Sequence, residues 1–297
     1  VRIAYAGTAL FGALVLECLL DRSEHEIGLV VTRPDRPRGR HGTPQPSPVK
    51  EAALAAGVPV FQPERLRDEA IDRLAEAGAE VLVVCAHGEI LEASLLERMT
   101  TLVVHPSALP AWRGPAPVER ALMAGETELG VAVLHMTAEV DAGPVGAARA
   151  VHVPRDADAG VAFETLARPA CEAVVSTLCD MEDGSAVWSP QVGEPGYAPK
   201  LERRDREIDW SRPAVTIVDQ IRALSPRIGA RTEIEGRPLT IWRARVCDEL
   251  PDDGSSDRLL LKAGEGHVEV LELQAPGGRR QEAASYLRGA GRWLADR

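Results

Sequence analysis

The chain has 297 residues, enough for two domains, and its 45% hydrophobic and 27% charged content is ordinary for a soluble globular protein. No apolar run approaches the ~18–20 residues of a membrane span, so no membrane partner is expected. The net charge of −11 argues against a broadly nucleic-acid-binding surface and against DNA as a partner, yet the excess acid falls in residues 1–200, where RPDRPRGRH at 33–41 is a basic island.

The chain opens with VRIAYAGTALFGALVLECLL, where Gly7 and Thr8 split the apolar stretch after a strand-like run, so no cleavable signal is expected. Strands are predicted over 2–6, 27–32, 81–86, 102–105 and 130–136, all short, Val- and Ile-rich and apolar on both faces. Helical patterns lie between them. One starts at Ser47-Pro48, an N-cap followed by proline, and stops at Gly57. A second, ERLRDEAIDRLAEAG, stops at Gly78, and a third runs from about 160 to 182 with Pro169 expected to bend it. Alternating strands and helices predict an α/β Rossmann-like domain with a parallel-rich, doubly wound sheet and a ligand crevice at the carboxyl ends of its strands.

Residues 183–201 are rich in Gly, Pro and Ser and look like a linker. Beyond about 205, segments such as PLTIWRARV and HVEVLELQA alternate and are separated by turns, which predicts a small antiparallel sheet or OB-like β-barrel. The expected division is a first domain over 1–190, a linker over 191–204 and a barrel over 205–297. The five cysteines show no CxxC and no paired spacing, so reduced thiols and a cytoplasmic location are expected, as is a monomer.

His105 ends a predicted strand and is followed at once by the proline-stiffened loop PSALPAWRGPAP. Asp141 lies in EVDAGPVG, a turn fixed by Gly143 and Pro144. A histidine beside a carboxylate is the acid–base pairing that acyl-group transfer needs. From the residues alone the alternative stays open that His105 is a satisfied core histidine and Asp141 a turn-former. His87, in CAHGEIL, also follows a strand end and can line the same crevice, whereas His135, His152 and His267 read as surface positions. The first turn, AGTALFG, lacks the full GxGxxG fingerprint, and no HExxH, CxxC or clustered carboxylate spacing supports a metal site.

The set AGTxxF (6–11), VVTRPDRPRGR…PSPVK (30–50), HPSALPAWRGPAP (105–117), the DAG turn (141–143), YAPKL…IDW (197–210) and IRALSP…GA (221–230) resembles the methionyl-tRNA formyltransferases, in order and over nearly the whole chain. HPSxLP alone would fit the wider folate-dependent formyltransferases. The resemblance implies a domain that binds 10-formyltetrahydrofolate, followed by a barrel that helps to hold initiator methionyl-tRNA. It implies catalysis by an Asn-x-His pair and a distant Asp, with His105 and Asp141 at two of the three positions. It also implies folate contacts from Ser107, Ala108, Leu109 and Pro110, and a pterin pocket along 85–91 with His87, Gly88 and Ile90. The loop at 33–42 matches the one that enters the acceptor end of the tRNA, where Arg36, Arg38 and Arg40 are the phosphate contacts.

Two positions depart from that pattern. Val103 stands where the family has asparagine, and valine cannot donate to a developing oxyanion. Removing one such donor elsewhere costs roughly 10²–10³ in rate. Residues 41–43 read His-Gly-Thr where lysines are common. The expected function is formyl transfer to methionyl-initiator-tRNA, with Val103 slowing it. The alternatives are a catalytically weak folate- or RNA-binding homologue, and a formyltransferase acting on another amine, such as an amino-sugar nucleotide.

Overall fold

A computed structural model describes residues 1–22, 24–37, 42–89, 91–247, 258–289 and 291. They form two compact units: Val1–Pro117, Glu128–Val151 and Phe163–Ala198 make the first, and Val118–Thr127, His152–Ala162 and Pro199–Arg297 the second.

The first unit opens with β1 (Arg2–Gly7), α1 (Leu10–Arg22) and β2 (Glu26–Val31), then a short antiparallel ribbon of β3 (Arg36–Pro37) and β4 (Pro44–Gln45). Next come α2 (Pro48–Ala55), β5 (Val60–Phe61), α3 (Asp68–Glu76), β6 (Val81–Cys85), α4 (Ala93–Arg98) and β7 (Thr100–His105). The chain goes on through α5 (Pro117–Met123), which falls almost wholly in the second unit, then β8 (Glu128–His135), β9 (Val145–His152) and α6 (Ala159–Glu182), a helix continuous through Pro169 whose first residues also count with the second unit. The seven-stranded sheet has the order β5-β2-β1-β6-β7-β8-β9. β5, β2, β1, β6 and β7 pair in parallel, while β8 runs antiparallel to β7. β1 shows why this sequence makes a central strand: Ile3, Ala4, Tyr5 and Ala6 are all buried, as a parallel sheet covered on both faces requires. Strand order reverses between β1 and β6, so their carboxyl ends open the crevice in which such sheets take ligands. The N–H groups of Thr8 and Ala9 both donate to the Ala86 carbonyl and tie those two strand ends together.

Local signals set the helix ends where they are strong. Ser47 caps α2, its hydroxyl accepting the Lys50 N–H at 3.0 Å, with Pro48 as the first helical residue. α3 starts at Asp68, later than its sequence pattern suggests. The segment from 183 is fastened within the unit: Ser189 bridges Val145, and Tyr197 bridges Arg113.

The second unit holds α7 (Ala214–Leu224), β10 (Ala230–Ile234), β11 (Arg237–Cys247), β12 (Leu259–Lys262), β13 (His267–Gln274), β14 (Gln281–Glu282) and α8 (Ala283–Arg288). Its antiparallel sheet, ordered β10-β11-β13-β12 with β14 on β13, curls into a half-barrel over α7. Ala214, Ile217, Ile221 and Leu224 of α7 are buried against Leu239, Ile241, Val268 and Leu273. The i, i+3, i+4 spacing of these residues is what makes the helix one-sided.

The opposite side of α7 buries charge. Asp219 and Arg222 are 4% and 5% exposed. Arg222 Nε donates to Asp219 Oδ1 at 2.8 Å, and its other nitrogens reach the carbonyls of Leu122, Glu126 and Ala157. Arg155 Nη2 donates to Asp219 Oδ2 at 2.7 Å. One carboxylate thus fixes a guanidinium that gathers three chain segments of this unit. Asp219→Ala leaves Arg222 buried without its counter-ion and is expected to cost about 3–5 kcal/mol, measured by urea unfolding against the wild type.

Candidate active site

Alternate residues of a strand share a face, so Thr101, Val103 and His105 of β7 point the same way. His105, at the carboxyl end, is 5% exposed. Its Nε2 lies 2.9 Å from the carbonyl of Trp112, which can only accept, so Nε2 carries the hydrogen. Its Nδ1 faces Asp141 Oδ2 at 3.6 Å. The same Oδ2 accepts the N–H of Gly114 at 2.8 Å. The structure therefore brings together His105 and Asp141, the two residues the sequence singled out, and adds the backbone of Trp112 and Gly114.

The loop geometry around this pair is demanding. Trp112 and Asp141 have φ of +61° and +51°, left-handed values that cost a non-glycine residue of order 1–3 kcal/mol, least for aspartate. Gly114 has φ +109°, and a Cβ there would meet the Tyr197 ring at 2.7 Å and the Ala198 carbonyl at 2.9 Å. At Gly143 a Cβ would lie 1.8 Å from the His135 carbonyl oxygen. Both turns that deliver a group to the pair thus need glycine for close approach.

Ser107 is buried, its hydroxyl donating to the Ala111 carbonyl at 2.8 Å, and Ala111 N–H donates to Ala108 O at 3.1 Å. The SALP segment is thus a self-tied turn with Ala108 exposed and Leu109 and Pro110 half-buried. His87 sits beyond β6, buried, with Nε2 3.5 Å from Glu89 Oε2. Burial holds the His87 ring below the ordinary histidine range, against the opposing pull of Glu89. Its Nδ1 and the hydroxyl of Thr8 are buried without a hydrogen-bond partner among the described residues, at the two strand ends where strand order reverses. Gly88 O accepts from Arg33, and Ile90 lies outside the described residues.

The basic loop is anchored at its base. Asp35 accepts from Lys50 Nζ at 2.7 Å and from Gln62 Nε2 at 2.8 Å, contacts that hold its carboxyl below the usual carboxylate range. Arg36 is exposed on β3, its guanidinium 3.5 Å from Glu64, while Arg38 and Arg40 lie outside the described residues. Among the described residues no three His, Cys, Asp or Glu side chains converge to hold a metal, and no helix is long and apolar enough to cross a membrane. The five cysteines are free thiols, and burial pushes that of Cys85 up to about 12.

Sequence reasoning missed two side chains that bind this site together, Arg113 and Gln191. Arg113 Nε and Nη2 donate to Gln191 Oε1 at 3.0 and 2.8 Å. Gln191 Nε2 donates to the carbonyls of Asp141 and Gly143 at 2.8 and 2.9 Å. Arg113 stood inside a motif already noticed, whereas nothing near Gln191 in SPQVGEPG distinguishes it from a linker residue.

Residues 1–178 match the family described as Formyl transferase, and residues 200–291 match Formyl transferase, C-terminal domain. The chain is 41% identical over 304 residues to the methionyl-tRNA formyltransferase of Symbiobacterium thermophilum, covering 98% of this chain and 93% of that one. It is 46% identical over 299 residues to the protein of that name from Rubrobacter xylanophilus, covering 97% of each. Among solved structures, HypX from Aquifex aeolicus in complex with tetrahydrofolic acid shares the fold, with a TM-score of 0.67 at 19% identity, over 96% of this chain and 46% of that longer one.

A buried histidine held neutral makes a pH prediction. The unfolded chain binds a proton at His87 near pH ~6.5, and the folded chain does not until lower pH. This part of the stability is intact above that pH and is lost as pH falls through the lowered value. Urea midpoints at pH 7.5 and 5.5 are expected to differ less in His87→Gln than in the wild type.

Proposed function

This chain belongs to the methionyl-tRNA formyltransferases of the formyl transferase family, and on that premise we propose that it transfers the formyl group of 10-formyltetrahydrofolate to the amine of methionyl-initiator-tRNA. The observation that carries the reading is the His105–Asp141 pair, at 3.6 Å, at the carboxyl end of β7 beside the crevice. The names of the full-length relatives support the tRNA acceptor over an amino-sugar nucleotide.

The amine attacks the formyl carbon and loses a proton. The carbonyl oxygen becomes negative, and the folate nitrogen leaves after taking up a proton. His105 is the group placed to donate to that oxygen or to move those protons, with Asp141 orienting its ring. Val103 lies on the same face two residues earlier and offers only methyl groups. The formyl donor is a substrate, and two features suit it: the Nδ1 of His87 is a buried polar atom with no hydrogen-bond partner among the described residues, and the turn Ser107–Pro110 is held in shape by its own hydrogen bonds. Gly88 and Ile90, of the same segment as His87, are further proposed folate contacts. Arg36, with Arg38 and Arg40, is the proposed phosphate grip for the acceptor end, and the half-barrel from about 205 is the proposed second hold on the tRNA. We place the boundary between domain and linker near 190, the protein in the cytoplasm, and a monomer as the working unit.

Formyl transfer measured side by side in the wild type and two variants tests this. His105→Ala is expected to lower kcat/KM by about 10²-fold or more, and Val103→Asn to raise kcat by restoring a donor. A His105→Ala enzyme with wild-type rates removes His105 from the mechanism. Silence in both the wild type and Val103→Asn overturns the reading.

A further inference from the structure

We propose that Gln191 is a positioning residue for the reaction: with Arg113 it locks the turn that carries Asp141 to the loop that carries the two backbone groups on the His105–Asp141 pair. The proposal deepens the formyl-transfer reading and rests on it for its kinetic readout.

The carboxamide of Gln191 has its hydrogen-bonding capacity filled. Its oxygen takes two N–H groups of Arg113, at 3.0 and 2.8 Å, and its nitrogen gives both hydrogens, to Asp141 O at 2.8 Å and Gly143 O at 2.9 Å. The orientation is fixed, because the flipped amide would set its oxygen against two carbonyls and its N–H groups against a guanidinium. Arg113 stands between Trp112, whose carbonyl takes the His105 Nε2 hydrogen, and Gly114, whose N–H holds Asp141 Oδ2. Asp141 and Gly143 flank the turn on the other side. One side chain therefore connects both partners of His105.

Gln191 is itself held in place from both ends. Ser189 exchanges two backbone hydrogen bonds with Val145, at 2.8 and 2.9 Å. Farther on, Gly196 N–H donates to Pro110 O, Arg113 N–H to Gly196 O and Ala198 N–H to Arg113 O, at 3.1, 2.8 and 2.6 Å. The segment is a strap along the WRG loop, and Gln191 is its contact with the Asp141 turn. Trp112 and Asp141 both sit at positive φ, so each relaxes unless neighbours hold it.

The decisive variant is Gln191→Glu, which keeps size and the Arg113 contact but turns a carboxylate oxygen toward the Asp141 and Gly143 carbonyls. Gln191→Met removes both contacts without adding charge, and Arg113→Lys breaks the two-pronged contact from the other end. Each is expected to lower kcat by about 10- to 100-fold with the Michaelis constants held, the pattern for a misplaced reacting group. The ring ¹⁵N resonances of His105 report its Nε2 hydrogen bond and the nearby Asp141 carboxylate, and are expected to move in all three variants, with circular dichroism unchanged. A purely structural role would lower the folded fraction while leaving kcat per folded molecule and those resonances as in the wild type, and that result overturns the proposal. If neither the wild type nor Val103→Asn transfers a formyl group, the functional reading fails, and the His105 resonances still decide whether Gln191 positions the pair.

Discussion

The site depends on one imidazole ring held between two acceptors. His105 leaves the end of a central strand with the Trp112 carbonyl on Nε2 and the Asp141 carboxylate facing Nδ1. Neither acceptor belongs to the sheet: each comes from a loop, and each loop residue sits in a left-handed conformation. The sheet fixes where the ring starts, and the loops fix where it points. That explains why so much of the surrounding polar structure, from the Gly114 N–H to the Gln191 carboxamide, serves to hold two loops against each other. A strained loop conformation persists only where its neighbours over-determine it.

The division of labour also decides what the sequence could reveal. His105 and Asp141 were legible because each sits in a recognisable local frame, a strand end and an Asp-Ala-Gly turn. The central strands were legible because complete burial writes itself as Val- and Ile-rich runs. The same completeness hid the direction of β8, since a strand buried on both faces carries no mark of its neighbours' direction. Helix α7 was missed although its spacing of apolar residues was present, because the alternating segments after it dominated the reading. Gln191 carried no local signal at all. Its partners stand 78, 50 and 48 residues away, and only the tertiary structure joins them.

Val103 illustrates the separation between fold and chemistry. In register it pairs with Val84 on β6 and Leu134 on β8, so it stands among apolar neighbours in the middle of the sheet. A β-branched residue suits that place at least as well as an amide does. Stability gives no reason to keep a donor there; only the reaction does. Residues that serve the reaction alone can change without trace in the fold, which is why similarity over the whole chain and the identity of one side chain are separate pieces of information.

Because an N–H hydrogen is directed at one acceptor at a time, any group that takes the Nε2 hydrogen of His105 must replace the Trp112 carbonyl. With Val103 unable to contribute, the ring is the polar side chain on that face of the strand end, and its hydrogen-bond partner in the resting site is a backbone carbonyl held at positive φ. Before reaction the exchange is between two neutral carbonyl acceptors, and as the reacting oxygen becomes negative its charge-assisted hydrogen bond becomes the stronger one. A loop pinned through Arg113 holds the carbonyl close and the carboxylate opposite it, so the ring can pass its hydrogen to a reacting oxygen without losing its orientation from the Asp141 side. Arg113, Gln191 and the Asp141 turn therefore shape the reaction without any of them needing to touch the reacting atoms.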